Sequence, residues 1–397
     1  MAGGSMDNRT ENKDIYLDNS ATTPLSDAVK RKISQMLDVY GNPSSLHSVG
    51  QLAEAELRRA RESLLAGLGV RVREGEFFFT SSGTEATSLA IVGSAHAKER
   101  RDATRILITD SEHSSVKKTA HSLEREGFEV IEISTRGGVL DLEEIKKALD
   151  KKIFMASFML VNNETGALYD VKSAFSLIRE KYPDVITHCD AVQGFMKLNF
   201  TPASLGADLV SVSGHKLHAP KGVGGLYVSA DMIKKKKISP FIFGGGQEKG
   251  FRSGTENTIG IAAFGASVAD IRPRRAQNAA HLEELYTYAV EKIEALGIHI
   301  NKPMGARVSH ILNITLPDIK SETALHFLSA DHVFISSGSA CSSHSKNPSG
   351  ALIAFGLSPA QADCSLRISF SEYSSKNDVD ALVRALSSAL ERLVRIR

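Results

Sequence analysis

The sequence predicts an α/β protein with a large, mainly parallel sheet of seven strands and a second, smaller α+β domain. Three observations carry this prediction. Short apolar runs alternate with longer segments whose apolar residues recur every three or four positions, which is the pattern of parallel βαβ units. The rhythm changes after about residue 262, where the strands become weaker and the helices longer. The length of 397 residues suits two to three domains.

The seven predicted strands are rich in β-branched and aromatic residues and lie at 76–80, 105–109, 129–133, 153–160, 184–189, 208–213 and 224–229. The crossover helices are predicted where apolar residues have helical spacing, over 83–100, 115–127, 141–149 and 171–181. In open sheets of this kind, ligands bind beyond the carboxyl ends of the strands. Polar residues that directly follow a strand are therefore the first candidates for a site.

The second domain is predicted from the segments after residue 262. They comprise a long helix over 277–296, weaker strands near 307–316 and 333–336, a Ser/Gly-rich stretch over 336–350, a strand at 366–370 and a final helix over 376–396. We expect the large domain to span 22–262, and the small domain to combine 1–21 with 263–397.

Composition excludes several classes of protein. Hydrophobic residues at 42% and charged residues at 24% are ordinary globular values, which exclude wholesale disorder, collagen and a disulfide scaffold. The net charge of +2 favours a small-molecule partner over direct nucleic-acid or membrane binding. The longest apolar runs, such as 153–161, are about half a membrane span and no apolar signal segment is seen, so a cytoplasmic protein is expected. The three cysteines are too few and too widely spaced for a disulfide framework or a metal site.

The first candidate site follows the strand at 76–80, where small and hydroxyl residues precede a helix. The main-chain N–H groups of Gly83 and Thr84 would point at an anion bound to the helix N-terminus. A plain helix cap is the alternative, because Ser and Thr favour that position in any helix.

Asp190 is the second candidate, because it ends a buried strand where a bare carboxylate would be costly without a partner. A protonated ring nitrogen would supply that partner. The alternative is a surface turn or a helix cap. Cys189, just before it, is expected to be a small core residue.

Lys216 is the third candidate. It comes three residues after a strand, between Ser213 and His215 on one side and a Gly-rich return into the next strand on the other. A lysine tethered in a pocket can form a Schiff base with an aldehyde cofactor. A solvated surface charge is the alternative.

The string SGHK (213–216), with HAPKGVGGLY behind it, resembles the cofactor-lysine region of the cysteine desulfurase family of pyridoxal-phosphate enzymes. Other strings that match the family follow in chain order: YLDNSATTP (16–24), GNPSS (41–45), TSSGTEA (80–86), EHSSV (112–116), NNETG (162–166), DAVQ (190–193), GGGQEKGFRSGT (244–255), SSGSACSS (336–343) and LRISFS (366–371). The set resembles the subgroup with a long cysteine loop, which supplies sulfur for iron–sulfur cluster assembly and tRNA thiolation. The resemblance implies the aspartate-aminotransferase-like fold, fold type I of the pyridoxal-phosphate transferases, and a homodimer.

Carried over residue by residue, the resemblance makes Lys216 the lysine that binds pyridoxal 5'-phosphate covalently. It places His113 against the pyridine ring, although a capped turn would otherwise explain that histidine. Asp190 would pair with the ring nitrogen and keep it protonated, so that the ring can act as an electron sink. Gln193 and Asn163 would lie near the ring hydroxyl.

The resemblance also implies a phosphate site shared between two subunits. Its contacts within one chain would come from Gly83, Thr84, Ser213 and His215. Thr255, in RSGT, matches the residue that contacts the phosphate of the neighbouring subunit.

Cys341 and Arg367 complete the resemblance. Cys341 lies among small polar residues that suit an exposed loop over 336–350 better than a buried structural cysteine. It matches the family's nucleophile, whose thiolate attacks the substrate sulfur. Arg367 matches the arginine that binds the substrate α-carboxylate beside Asn163, with an ordinary surface ion pair as the alternative. Cys364 has no counterpart and is expected to be inert.

The function implied is that of a pyridoxal-phosphate-dependent cysteine desulfurase with Cys341, Lys216 and His113 as catalytic residues. It would convert L-cysteine to L-alanine and leave a persulfide on Cys341 for a sulfur-acceptor protein. Three alternatives stay open: a selenocysteine lyase, an aminotransferase of the same fold, and a sulfur-assembly partner without turnover.

Overall fold

The computed structural model describes residues 14–97, 103–338 and 348–394. Its strands are β1 (Ile15–Tyr16), β2 (Gly75–Thr80), β3 (Arg105–Thr109), β4 (Glu129–Ile133), β5 (Ile153–Met159), β6 (Ile186–Asp190), β7 (Leu209–Ser213), β8 (Gly224–Ser229), β9 (His299–Ile300), β10 (Ile311–Thr315), β11 (Val333–Phe334) and β12 (Ser365–Ser369). The seven strands predicted for the large sheet are confirmed to within two residues at each end.

The helices are α1 (Asp27–Met36), α2 (Ser48–Gly67), α3 (Gly83–His96), α4 (Ser114–Ser122), α5 (Leu142–Ala148), α6 (Val171–Lys181), α7 (Pro202–Leu205), α8 (Ala230–Lys234), α9 (Thr258–Ile271), α10 (Arg275–Glu294), α11 (Ser321–Ala330), α12 (Gly350–Phe355), α13 (Pro359–Asp363) and α14 (Lys376–Arg392). Polar N-caps start the crossover helices, because each accepts a backbone N–H that the first turn leaves unpaired. Ser82, Asp141 and Asp170 do so for α3, α5 and α6. Among the described residues, no helix combines the length and apolarity needed to cross a membrane.

The large sheet has the strand order β2-β8-β7-β6-β5-β3-β4. Strand β8 runs antiparallel to both of its neighbours, and the other neighbouring pairs are parallel. The carboxyl ends of β2, β3, β5, β6 and β7 consequently meet at one edge. After β3 the chain adds β4 on one side, and from β5 onward it adds strands on the other. The edge at β3 and β5 is thus a topological switch point, where open α/β sheets bind ligands.

Both faces of this sheet are covered by helices, which explains why its strands read as continuous apolar runs. Helices α3 and α4 pack on one face, and α2, α5, α6 and α9 supply the core on the other. Phe158 of β5 and Phe175 of α6 stack with ring centroids 5.6 Å apart, and both are fully buried. Burial of such a side chain contributes about 1.5–3 kcal/mol, so the two rings hold helix and sheet together.

The remaining strands form two small sheets, one of which pairs the N-terminal segment with the C-terminal region. Strands β12, β10 and β9 form an antiparallel sheet in that order, and β1 pairs in parallel with β11. Their apolar side chains share a separate core with α10, α11 and α14. The predicted association of the N-terminal segment with the C-terminal region agrees with this pairing, while the domain limits at 21/22 and 262/263 stay a prediction.

The strand predicted near 307–316 is shorter than expected and covers only Ile311–Thr315. The preceding segment bonds to other parts of the chain. The Met304 N–H donates to the Gly137 carbonyl, and the Leu168 N–H donates to the Ala306 carbonyl. Because these bonds occupy its backbone, the segment does not extend β10.

Candidate active site

A cavity of about 220 Å³ opens at the carboxyl edge of the large sheet. Nearly all of the predicted site residues line it, although the sequence spreads them over almost 300 positions: Gly83, Thr84, His113, Asn163, Asp190, Gln193, Ser213, His215, Lys216 and Arg367. Thr255 does not line it, and Cys341 lies outside the described residues. Polar residues that are far apart in the sequence thus come together at one cavity.

The N-terminus of α3 forms one end of the cavity. Ser82 caps the helix by accepting the Glu85 N–H, which leaves the N–H groups of Gly83 and Thr84 in the first turn without partners inside the helix. A Cβ on Gly224 would lie 2.5 Å from the carbonyl carbon of Ser82, so only glycine lets β8 approach this turn. The helix cap is thus Ser82, and the N–H groups of Gly83 and Thr84 beside it suit a phosphate.

Asp190 lies at the cavity floor as the last residue of β6 and is only 7% exposed. Its Oδ1 accepts the Val192 N–H at 3.0 Å. Burial raises the pKa of this carboxyl, and the Val192 bond and the charges of His113 and Lys216 oppose that rise. A buried carboxyl of this kind favours a cationic partner, which a protonated ring nitrogen would be.

Lys216 ends a short 3₁₀ turn over Gly214–Lys216 directly after β7. Its Nζ donates to the carbonyl oxygens of Ser20 and Ala21, at 2.6 and 2.7 Å. The N-terminal segment therefore holds the amino group at the cavity wall. The role of Ser20 and Ala21 was not predicted, although both lie in the family string at 16–24.

His113 and Gln193 occupy other walls of the cavity. His113 caps α4, and its Nδ1 lies 2.8 Å from the Ser115 hydroxyl. The residue also lines the cavity, so it has both of the positions considered from the sequence. Gln193 donates from Nε2 to the Ser20 carbonyl at 2.9 Å. Its Oε1 is buried without a hydrogen-bond partner among the described residues, so it can accept a bond from a ligand hydroxyl.

His215 is neutral near physiological pH. Burial, and then the charge of Lys216, lower its pKa to about 4. It can therefore donate one hydrogen bond to a phosphate without adding a charge.

Arg367 on β12 is 2% exposed, so the alternative of a surface ion pair is wrong. Its Nη2 donates to Asp18 at 2.8 Å and its Nη1 to the Asn163 carbonyl at 3.0 Å. Burial raises the pKa of Asp18, and the Arg367 charge opposes this rise. Asp18 was not predicted as a site residue, and its only sequence signal is the string at 16–24.

Thr255 is exposed in the single chain and lies outside the cavity. The stretch of chain just before it is held by ion pairs. Glu248 pairs with Arg61 at 2.8 Å and accepts the Phe79 N–H, and Arg252 pairs with Glu85 at 2.9 Å. Thr255 thus follows a fixed stretch of chain and does not line the cavity of its own subunit.

Cys341 lies outside the described residues, as does the rest of the segment 339–347. The flanking residues are described. Ser349 donates to Oε2 of Glu164 at 2.5 Å, and Glu164 directly follows Asn163 of the cavity wall. The C-terminal flank of the segment is thus tied close to the candidate site.

The chemistry of the lining fits pyridoxal phosphate at each of its polar groups. The α3 N-terminus suits the phosphate, Asp190 the ring nitrogen, the free acceptor of Gln193 the ring hydroxyl, and Lys216 the aldehyde. Among the described residues, no cluster of His, Cys, Asp or Glu is suited to a metal ion.

Comparison with known proteins matches the chain to the family described as aminotransferase class-V over residues 15–382. It is 36% identical to "Cysteine desulfurase IscS" of Mannheimia succiniciproducens over 96% of this chain and 93% of that protein. It is 34% identical to the protein of the same name from Dictyoglomus turgidum, over 96% and 95% of the two chains. A solved "NifS-like protein" superposes with a TM-score of 0.88 at 32% identity, over 96% of this chain and 100% of that one.

The family match over residues 15–382 includes every residue that lines the cavity, from Ser20 to Arg367. It also includes all of the predicted site residues. The two relatives, matched over nearly their full length, carry the same name, and the superposed structure has the same fold. The chain belongs to the cysteine desulfurase family of class-V aminotransferases, whose cofactor is pyridoxal phosphate.

Proposed function

We propose that this chain removes sulfur from L-cysteine, releasing L-alanine and carrying the sulfur as a persulfide on Cys341. The observation that carries the proposal is the convergence of Lys216, Asp190 and Arg367 on one cavity. Each of the three meets a different requirement of the reaction. Lys216 has a reactive amine, Asp190 a carboxylate for a ring nitrogen, and Arg367 a guanidinium for the substrate carboxylate.

The cofactor would be held by the groups described above, with the α3 N-terminus binding its phosphate and Asp190 pairing with its ring nitrogen. When bound, it draws electrons away from the α-carbon of an amino acid joined to it. His113, which lines the cavity, would contact the ring and exchange a proton with the substrate.

Arg367 would bind the α-carboxylate of L-cysteine. Asp18 and the Asn163 carbonyl hold the guanidinium from two directions, so the fork is oriented before the substrate arrives. The Nε atom is buried without a hydrogen-bond partner among the described residues, so it can still donate to a ligand. Fixing a charged side chain in advance lowers the entropy cost of binding.

Lys216 would move a proton from the substrate α-carbon. The Ser20 and Ala21 carbonyls hold its amino group within the cavity, which limits the positions from which it can act. A positioned base of this kind contributes about 10²–10⁴-fold to a proton transfer.

The Cys341 thiolate would then attack the substrate sulfur. A sulfur–sulfur bond forms, the carbon–sulfur bond breaks, and its electron pair stays on the three-carbon fragment, which takes up a proton and leaves as alanine. The persulfide carries the sulfur to an acceptor protein. Iron–sulfur cluster assembly or tRNA thiolation is the use that we propose for it, and a cytoplasmic location stays a prediction.

A homodimer is part of the proposal, because the single chain exposes apolar side chains around the Thr255 loop and in the segment before α2. Tyr40 and Leu46 are 83% and 91% exposed, and Phe243 is 80% exposed. A second copy would cover such residues and bring Thr255 to the partner's phosphate site.

Thr255→Ala is expected to weaken cofactor retention about tenfold, since it removes one hydrogen bond to a charged phosphate. Equilibrium dialysis against free cofactor measures the change. Mixing this variant with Lys216→Ala chains should restore activity, because half of the mixed dimers' sites would combine an intact lysine with an intact threonine. A monomer with full activity in sedimentation would contradict the shared site.

The function itself is tested by incubating the purified protein with L-cysteine and measuring alanine and sulfide, with and without a thiol reductant. Alanine should form in both cases, and free sulfide should need the reductant, because the sulfur otherwise stays on the protein. The 2-oxo acid that keeps the sulfur, formed by transamination instead of alanine, would favour an aminotransferase. Turnover of selenocysteine alone would favour a selenocysteine lyase.

A further inference from the structure

Glu112 is a buried carboxyl that lies behind the cavity described above. It follows β3, directly precedes His113, and is 6% exposed. Its Oε1 accepts the Thr109 hydroxyl at 2.9 Å and the Met159 N–H at 2.7 Å. The side chain therefore ties the end of β3 to the end of β5.

The point of attachment on β5 is next to Asp190. In the register of β5 and β6, Met159 lies directly opposite Asp190. Met159 and His113 both line the cavity, whereas Glu112 itself does not. One carboxyl group thus fixes the backbone beside Asp190 and begins the turn that carries His113.

The charge environment of Glu112 disfavours its ionised form. Burial, and then the negative charge of Asp190, raise its pKa to about 8, although the Met159 and Thr109 bonds oppose the rise. Cys189 on β6 and Tyr169 after β5 also interact with Glu112. Both groups are ordinarily neutral at pH 7, and burial raises their pKa further. The Oε2 atom is buried and has no hydrogen-bond partner among the described residues, which is far less costly for a neutral group than for an anion.

We propose that Glu112 is a positioning residue that works as a neutral carboxylic acid. It holds β5 and the His113 turn in place, and by staying uncharged it leaves Asp190 as the anion that faces the cofactor ring. The turnover test of this proposal rests on the proposed function. The ionisation test does not, because the protonation of Glu112 is measured without any substrate.

The ionisation is tested by infrared spectroscopy of the cofactor-loaded protein. We compare wild type with Glu112→Gln, which keeps an oxygen acceptor for the Met159 N–H and cannot ionise. The wild-type spectrum minus the Glu112→Gln spectrum should contain the carbonyl-stretch band of one protonated carboxyl at pH 6.5. This band should disappear as the pH rises through about 8. The absence of this band from the difference at pH 6.5 would overturn the proposal.

Positioning is tested by the alanine assay and by cofactor absorbance. Glu112→Ala, which removes the acceptor, should lower kcat about tenfold, whereas Glu112→Gln should stay within about threefold of wild type at pH 7. Thr109→Val is the matched control, because it removes the other donor to Oε1 and keeps the Met159 bond, and it should resemble Glu112→Gln. If kcat fell as much in Glu112→Gln as in Glu112→Ala, Glu112 would act through a negative charge, and the proposal would be wrong.

The two proposals fail in different ways. A wild-type protein that makes no alanine but shows the Glu112 band contradicts the desulfurase function alone. Should Glu112→Ala fail to fold, the infrared result and the turnover of Glu112→Gln still decide the matter.

Discussion

Cys341→Ser is expected to abolish alanine release from L-cysteine while leaving cofactor binding unchanged. A hydroxyl is a far weaker nucleophile than a thiolate at neutral pH, and the variant keeps all of the described residues that line the cavity. Removal of a covalent nucleophile can cost several orders of magnitude in kcat, since only binding and electron withdrawal remain. The measurements are single-turnover alanine formation and the cofactor absorption spectrum before and after L-cysteine is added.

Cys364→Ser is the control, because Cys364 is 6% exposed and burial raises the pKa of its thiol. A protonated, buried thiol does not attack a substrate, so this variant should turn over at the wild-type rate. Alanine release at the wild-type rate from Cys341→Ser would contradict the nucleophile assignment. A variant that fails on cysteine but remains fast on selenocysteine would revive the selenocysteine lyase alternative.

The large sheet could be predicted from sequence because its strands are buried on both faces. Arg105–Thr109 and Glu129–Ile133 match their predicted limits, and Gly224–Ser229 does so as well. Such strands read as short apolar runs, and the helices between them begin at polar caps that are visible in the sequence. These signals are local, so one sequence is enough to find them.

The order of the strands is a different matter, because it depends on contacts far apart in the chain. Nothing local marks Gly224–Ser229 as the antiparallel strand between β2 and β7. The short reach of β10 likewise follows from bonds between Met304 and Gly137, which are distant in sequence. Hydrophobic periodicity carries no information on such pairings.

At the candidate site, the sequence drew attention to groups that follow a strand and not to groups that contact another site residue. Lys216 and Asp190 stand at strand ends, where a polar residue is conspicuous. Asp18 acquires its role only by pairing with Arg367, 349 positions away. Glu112 becomes distinctive only once β3 and β5 bury it beside Asp190.

Lys216→Ala is expected to lose both the covalent attachment of the cofactor and nearly all turnover. The wild-type protein should be yellow, and borohydride should fix the cofactor on Lys216 as a stable adduct that peptide mapping locates. The loss in kcat should exceed about 10³-fold, because one amine both attaches the cofactor and moves the α-proton. Lys221→Ala is the matched control, since Lys221 is exposed five residues further along the same loop.

A folding defect is separated from a chemical one by adding a small primary amine to Lys216→Ala. The cavity that remains still has the α3 N-terminus, Asp190 and Arg367, so the variant should bind cofactor reversibly and an added amine should restore part of the proton transfer. Lys216→Arg keeps a positive charge near the Ser20 and Ala21 carbonyls but has no nucleophilic amine, so it should be as inactive as the alanine variant. A borohydride adduct on any other lysine, or wild-type turnover by either variant, would show that a different amine performs the reaction.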